Sequence, residues 1–309
     1  MPSSTKPLEG LSVVITGAGR GLGASYARYC AELGARLVIA DVDPASLEEI
    51  RGQLTSSGAQ VVAAVVDVAD AAAMDGLADL AVSAYGGLDG WVNNAGIQVM
   101  GELDDLDPAE VRRVVEINLL GVIFGTQSAL RVMRLRGTGS IVNTTSGAQA
   151  GMPLLNVYGA TKGGVASLTY GTALDLADTR IRVNAIAPLA TTPMTESTRQ
   201  FRKANKFSGG TVALPPAENN AGAIAFLLSP ASGRVRGQVL RVDLDGLSLM
   251  SHPSRIEASL ARGHLWTYDD VQQAYAERLA RREIRPGNRA AAEPDAKPLK
   301  AVDEADSND

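Results

Sequence analysis

Short apolar, β-branched runs alternate along the chain with segments whose apolar residues recur every three or four positions. The runs are Leu11–Thr16, Arg36–Asp41, Val61–Val68, Leu88–Asn93, Gly139–Ser146, Ile181–Pro188 and Gly237–Asp243, and each reads as a buried strand. Between them the helical period predicts helices over 24–33, 44–54 and 71–85, two over 102–133, one from Tyr158 to about Leu176, and one over 217–229. Turn signals separate the elements: Pro44 opens the second helix, while Gly34 and the pair Gly86-Gly87 stop the first and third. Strands alternating with helices predict an α/β fold occupying residues 1–250. The stretch 195–216 is polar, carries Gly209 and Gly210, and reads as a mobile flap or a surface loop.

Beyond residue 250 the pattern changes. Thr267-Tyr-Asp-Asp offers an N-cap and an acidic first turn for a helix running to about Glu283, so 251–285 is expected to be a helical extension. Residues 286–309 carry Pro, Ala, Asp and Lys without apolar period and are expected to be a disordered tail.

Composition narrows the partners. The 309 residues are 45% apolar and 20% charged, as in ordinary globular domains. A net charge of -5 argues against a nucleic-acid surface. The start of the chain lacks the apolar stretch of a signal peptide, and no run approaches the roughly 18 apolar residues of a membrane span. A cytoplasmic protein without membrane attachment is the expectation. The single cysteine, Cys30, excludes an intrachain disulfide and reads as a core thiol. His252 and His264 are isolated, and no metal-ligand spacing occurs, so no metal site is expected.

Chemistry enters first at Gly17-Ala-Gly19-Arg20-Gly21-Leu22-Gly23, which lies between the first strand and first helix. Glycines there permit a tight turn and bring backbone N–H groups up to a pyrophosphate at the positive helix end. Asp41 closes the second strand 18 residues after Gly23, where a carboxylate hydrogen-bonds both ribose hydroxyls of an adenosine and repels a 2′-phosphate. The next residue, Val42, is not basic, so NAD is expected over NADP; Arg20 is the counter-argument, since it could meet a 2′-phosphate. Asp67, beside Val68, could accept from an adenine amino group. In Asn93-Asn94-Ala95-Gly96, Asn93 is expected to prop neighbouring strands and the other residues to face the cofactor. Asn118 sits among apolar helix residues and needs a partner, either backbone or water. Ser146 ends the fifth strand, and Tyr158 and Lys162 follow on one face of a helix, where a lysine favours the phenolate of a neighbouring tyrosine. Small residues on that helix, Gly159, Ala160, Gly163, Gly164 and Ala166, suit close packing. Thr192, after Pro188, could bind a carboxamide.

These motifs, in this order over about residues 8–250, resemble those of the short-chain dehydrogenase/reductase family. The resemblance implies one Rossmann-type, doubly wound, seven-stranded parallel sheet in order 3-2-1-4-5-6-7 with helices on both faces. It also implies a homodimer or homotetramer, paired through the helices near 107–136 and 158–176 or through the last strand. It makes Tyr158 the general acid/base. Lys162 lowers the Tyr158 pKa and binds the nicotinamide ribose, Ser146 holds the substrate oxygen, and Asn118 orders a water in the proton relay. The implied activity is NAD(P)-dependent interconversion of a secondary alcohol and a ketone. Candidate substrates are a hydroxyacyl thioester, a steroid or other bulky cyclic alcohol, or a small hydroxy-ketone. The loops 147–157 and 194–216 are expected to line the substrate pocket, with Met152, Leu154 and Leu155 making it partly apolar. Three departures stand out. Ser146 and Tyr158 are one residue closer than usual, which leaves Thr145 as an alternative hydroxyl. Leu189 replaces the usual glycine after Pro188, and Asp243-Leu-Asp-Gly246 departs from the usual Asp-Gly-Gly. A catalytically silent nucleotide-binding protein is the alternative reading, but it has no need of Asn118, Ser146, Tyr158 and Lys162 together.

Overall fold

In the computed structural model the described residues are 6–205, 214–243 and 246–250, together with Glu277. The helical extension expected over 251–285, the tail 286–309, His252 and His264 therefore lie outside them, Glu277 excepted. Among the described residues eight strands form one sheet: β1 (Ser12–Thr16), β2 (Arg36–Asp41), β3 (Val61–Val65), β4 (Gly90–Asn93), β5 (Thr138–Thr144), β6 (Arg180–Pro188), β7 (Val239–Asp243) and β8 (Gly246–Leu249). Their spatial order is β3-β2-β1-β4-β5-β6-β7-β8. The first seven are parallel, as expected. The eighth, added antiparallel to β7, was not expected.

The helices are α1 (Gly21–Glu32), α2 (Pro44–Ser56), α3 (Ala71–Tyr85), α4 (Pro108–Val115), α5 (Gly121–Arg136), α6 (Asn156–Asp175), α7 (Pro193–Ala204) and α8 (Ala221–Leu228). Strand side chains alternate between two cores. Val13, Ile15, Leu37, Ile39, Val142 and Ile186 pack with α1, α2 and α8. Val14, Val38, Trp91, Ile141 and Val183 pack with α3 and α5 on the other face. Full burial of each such aliphatic side chain contributes roughly 1.5–3 kcal/mol. Cys30 is a free, buried thiol in the first core, and burial pushes its pKa up to about 12.

Asn93 props the sheet as expected. Its Nδ2 donates to Asn143 Oδ1 at 2.9 Å and its Oδ1 accepts from Trp91 Nε1 at 2.7 Å. Asn143 Nδ2 in turn donates to Thr169 Oγ1 at 3.0 Å, so the chain of amides links β4, β5 and α6. Two expectations need correction. The two helical patterns over 102–133 are one continuous helical rod, α4 running into α5 through a π turn at Glu116–Leu120. The polar stretch after Thr192 is not a loop at its start. Thr192 and Thr195 form a capping box, Pro193 stands in the first turn, and together they launch α7. Residues 206–213 of that stretch lie outside the described ones.

Candidate active site

The sheet's strand order reverses between β1 and β4, so the loops after these strands diverge and leave a crevice at their carboxyl ends. A cleft of about 480 Å³ opens there. Its floor is Gly17, Gly21 and Leu22 from the turn after β1, and its walls include Asp41, Val42, Asp67, Val68, Asn94, Ala95 and Gly96. Arg20 and Thr192 also line it. Twelve of the expected cofactor residues thus meet in one cavity. Gly19, Gly23, Tyr158, Lys162 and Pro188 do not line it, and the two glycines serve the turn itself. A Cβ on Gly23 would collide with the Gly17 carbonyl oxygen, and Gly17 adopts φ +63°. Pro188 pairs with Val242 at the end of β6.

The turn is pinned from two sides. Asn94 Nδ2 donates to the carbonyls of Thr16 and Gly17, each at 3.1 Å. Asp41 accepts from Gly19 N at 2.9 Å and from Asp43 N at 3.1 Å. The first turn of α1 faces the cleft without a side-chain cap, whereas α2, α3 and α4 are capped by Asp43, Asp70 and Asp107. Uncapped N–H groups at a helix N-terminus suit the pyrophosphate of a dinucleotide. The residues present therefore fit NAD(P): the α1 turn for the diphosphate and Asp41 for the adenosine ribose.

Asp67 is already engaged. Ala69 N donates to it at 3.0 Å, and Arg113 pairs with it at 2.7 Å. Partial burial alone would raise its carboxyl pKa; the Ala69 N–H and the Arg113 guanidinium outweigh that and hold it low. Met194, at the start of the expected lining stretch 194–216, lines the cleft, as do Arg113, Ile97, Gln98, Met100 and Ile117, which were not singled out in the sequence. A basic residue one helix away from Asp67 carries no local signal of such a contact.

Gly96 brings the cleft up to Asn118 and Lys162, since a Cβ there would stand 3.2 Å from Asn118 Oδ1 and 3.6 Å from Lys162 Nζ. Asn118 is fully buried in the π turn and clamps the backbone of Ile97. Its Oδ1 accepts from Ile97 N at 2.8 Å and its Nδ2 donates to Ile97 O at 2.7 Å. Of the two partners left open by the sequence, its side chain takes the backbone one. Lys162, 2% exposed, donates to Thr144 O at 2.8 Å and sits 5.6 Å from the Tyr158 ring centroid. Burial depresses its pKa to about 8. Burial raises the pKa of the Tyr158 phenol, and the neighbouring Ser146 side chain only partly opposes it. Among the chain's own groups, then, the lowering expected from Lys162 is not the net result. Thr145 points elsewhere, its Oγ1 donating to Ile186 O at 3.0 Å inside the sheet.

Fold and cleft define a dinucleotide-binding α/β protein, with Lys162 reaching the cleft at Gly96. The family model for short chain dehydrogenases matches residues 12–205, and the chain belongs to that family of oxidoreductases, which act on CH–OH groups with NAD(H) or NADP(H). The chain is 40% identical to a cis-4-hydroxycyclohexanecarboxylate dehydrogenase from Sinomonas cyclohexanicum, over 74% of this chain and 94% of that one. It is 36% identical to a levodione reductase from Leifsonia aquatica, over 75% and 92%. A crystal structure of an NAD+-bound xylitol dehydrogenase superposes with a TM-score of 0.72 at 29% identity, covering 77% of this chain and 99% of that one. Among the described residues no helix is long and apolar enough to cross a membrane.

Proposed function

We propose that the chain is an NAD-preferring dehydrogenase that interconverts a secondary alcohol and a ketone carried on a ring. The observation that carries this reading is the buried Lys162, whose Nζ stands 5.6 Å from the Tyr158 ring centroid and reaches the cleft at Gly96, with Ser146 beside the phenol. When bound, NAD supplies the hydride acceptor. Tyr158, as the phenolate once its own proton has left through the relay, takes the proton of the substrate hydroxyl, and as the phenol it gives a proton when the ketone is reduced. Ser146 donates a hydrogen bond to the same substrate oxygen. Its Oγ is already oriented by Ala148 N at 3.2 Å. Lys162 holds the nicotinamide ribose, and Asn118 fixes the backbone at Ile97 and joins the proton relay. Asp41, with its carboxylate at the adenosine end and exposed Val42 after it, supports NAD over NADP.

The ring substrate rests on the hydroxycyclohexane named in one relative and on the apolar Leu154, Leu155 and Met152 in the loop before Tyr158. Steroids and hydroxyacyl thioesters are the other classes to be screened. A homodimer or homotetramer is also part of the proposal, because Leu135 on α5 and Leu174 on α6 are 87% and 77% exposed on the two helices through which the family pairs. A cytoplasmic location and a catalytic unit spanning 1–250 complete it.

The deciding experiment is Tyr158→Phe, assayed by NADH absorbance with a panel of cyclic alcohols. We expect kcat to fall about 10²–10⁴-fold while NADH still binds. Unchanged turnover with any accepted alcohol would sink the mechanism.

A further inference from the structure

The helix α7 is held to the protein in an unusual way. None of its described side chains is fully buried, and Met194, Thr198 and Phe201 are only half-buried along one face. Yet it forms one wall of the cleft: Pro193, Met194 and Ser197 line it, opposite Ile97 and Gln98 from the loop after β4. One side chain crosses between the walls. Gln98 Nε2 donates to Met194 O at 2.9 Å and to Thr198 Oγ1 at 2.8 Å. Thr198 Oγ1 donates in turn to Met194 O at 3.0 Å, which closes a ring of three hydrogen bonds. Both amide hydrogens of Gln98 are thereby used, and its partners lie 96 and 100 residues away in sequence.

We propose that Gln98 is a latch that holds α7 closed over the cleft, and so sets how tightly the dinucleotide is retained rather than how fast hydride moves. The inference rests on the cleft being the dinucleotide site. Gln98 makes no hydrogen bond to Tyr158, Ser146 or Lys162 and acts through α7, which makes it a positioning residue. Its chemistry is specific. A leucine keeps the volume and loses both bonds. A glutamate turns an acceptor toward the Met194 carbonyl and repels it.

The test uses the full chain with Gln98→Leu, Gln98→Glu and Thr198→Val. In Gln98→Leu the NADH dissociation constant, read by fluorescence titration, should rise about tenfold, equivalent to about 1.4 kcal/mol. The KM for NAD should rise with it, and kcat should stay within about threefold. Hydrogen exchange without cofactor should accelerate over 193–204 and not in the sheet. Gln98→Glu should act at least as strongly, and Thr198→Val more weakly and not additively with Gln98→Leu. Unchanged exchange over 193–204, or full additivity, overturns the latch. If Gln98→Leu fails to fold, Thr198→Val alone decides by the same exchange readout. If the wild type binds no NADH, the dinucleotide reading fails, while the exchange result still judges the latch.

Discussion

Replacing Lys162 by methionine should destroy activity and stabilise the protein. The lysine is 2% exposed and burial has moved its pKa from 10.5 to about 8. A depression of that size corresponds to roughly 3 kcal/mol held against folding when the side chain is charged. Its hydrogen bond to Thr144 O, at 2.8 Å, returns part of this, and a bond from a charged donor is worth about 1.5–3 kcal/mol. Methionine keeps the unbranched stem and fills the same space. The net expectation for Lys162→Met at pH 7 is a gain of about 1 kcal/mol, with kcat down at least about 100-fold. The gain should depend on pH. The folded pKa lies below the unfolded one, so between about 8 and 10.5 the unfolded chain binds more protons and wild-type stability rises with pH. The advantage of the variant is therefore full below pH 8 and shrinks as pH climbs through that window. Urea unfolding of both proteins at pH 7 and pH 10, with unchanged m-values, measures it. A variant less stable than wild type at pH 7, or a gap that does not narrow by pH 10, would refute the reasoning.

Two further substitutions address the cofactor and the choice of hydroxyl. Asp41→Ala should raise the ratio of kcat/KM for NADP over NAD at least about tenfold, the equivalent of about 1.4 kcal/mol; a wild type that already prefers NADP contradicts the adenosine-site argument. Ser146→Ala should lower kcat about 10²–10³-fold, as loss of one donor to a reacting oxygen does, whereas Thr145→Val should keep kcat within about threefold and lose only about 0.5–1.5 kcal/mol of stability, because the Ile186 carbonyl keeps its bond from Thr145 N. Equal activity losses in the two variants would mean that the hydroxyl has been misassigned.

How much of the fold is legible in the sequence depends on how much of an element is buried. β1, β2 and β4 to β7 are apolar runs because helices cover them on both faces, and all six are found within a few residues of where the pattern puts them. β8 escapes notice because it is a four-residue edge strand with Leu247 and Leu249 exposed, so burial imposes no alternation on it. α7 escapes for a related reason. Its side chains are at most half-buried, so its apolar stripe is thin, Met194 and Phe201 among polar neighbours, and the Thr192-Pro-Met-Thr195 cap is its clearest local signal. The rod from α4 to α5 reads as two helices because the π turn inserts a residue and shifts the apolar phase. Asn118, polar in an apolar stretch, marks the shift.

The site divides along the same line. The glycine turn, Asp41 and the Tyr158–Lys162 pair are local motifs, each weak alone, and their order along the chain makes them legible together. Ile97, Gln98 and Arg113 join the cleft only through tertiary contacts with elements far away in sequence. The sign of the pKa shifts also escapes a reading by spacing. An i,i+4 lysine suggests a tyrosine made more acidic, but burial acts on both groups first and pushes each toward its neutral form. That burial traces to the small residues of α6. A Cβ on Gly159 would stand 2.6 Å from the Ala148 carbonyl oxygen, and one on Gly164 would stand 3.0 Å from Leu119. Side chains at either position would hold α6 away from the turn after Ser146 and from the π turn. The glycines let it close, and the same approach that brings Tyr158 to Ser146 removes Lys162 from water.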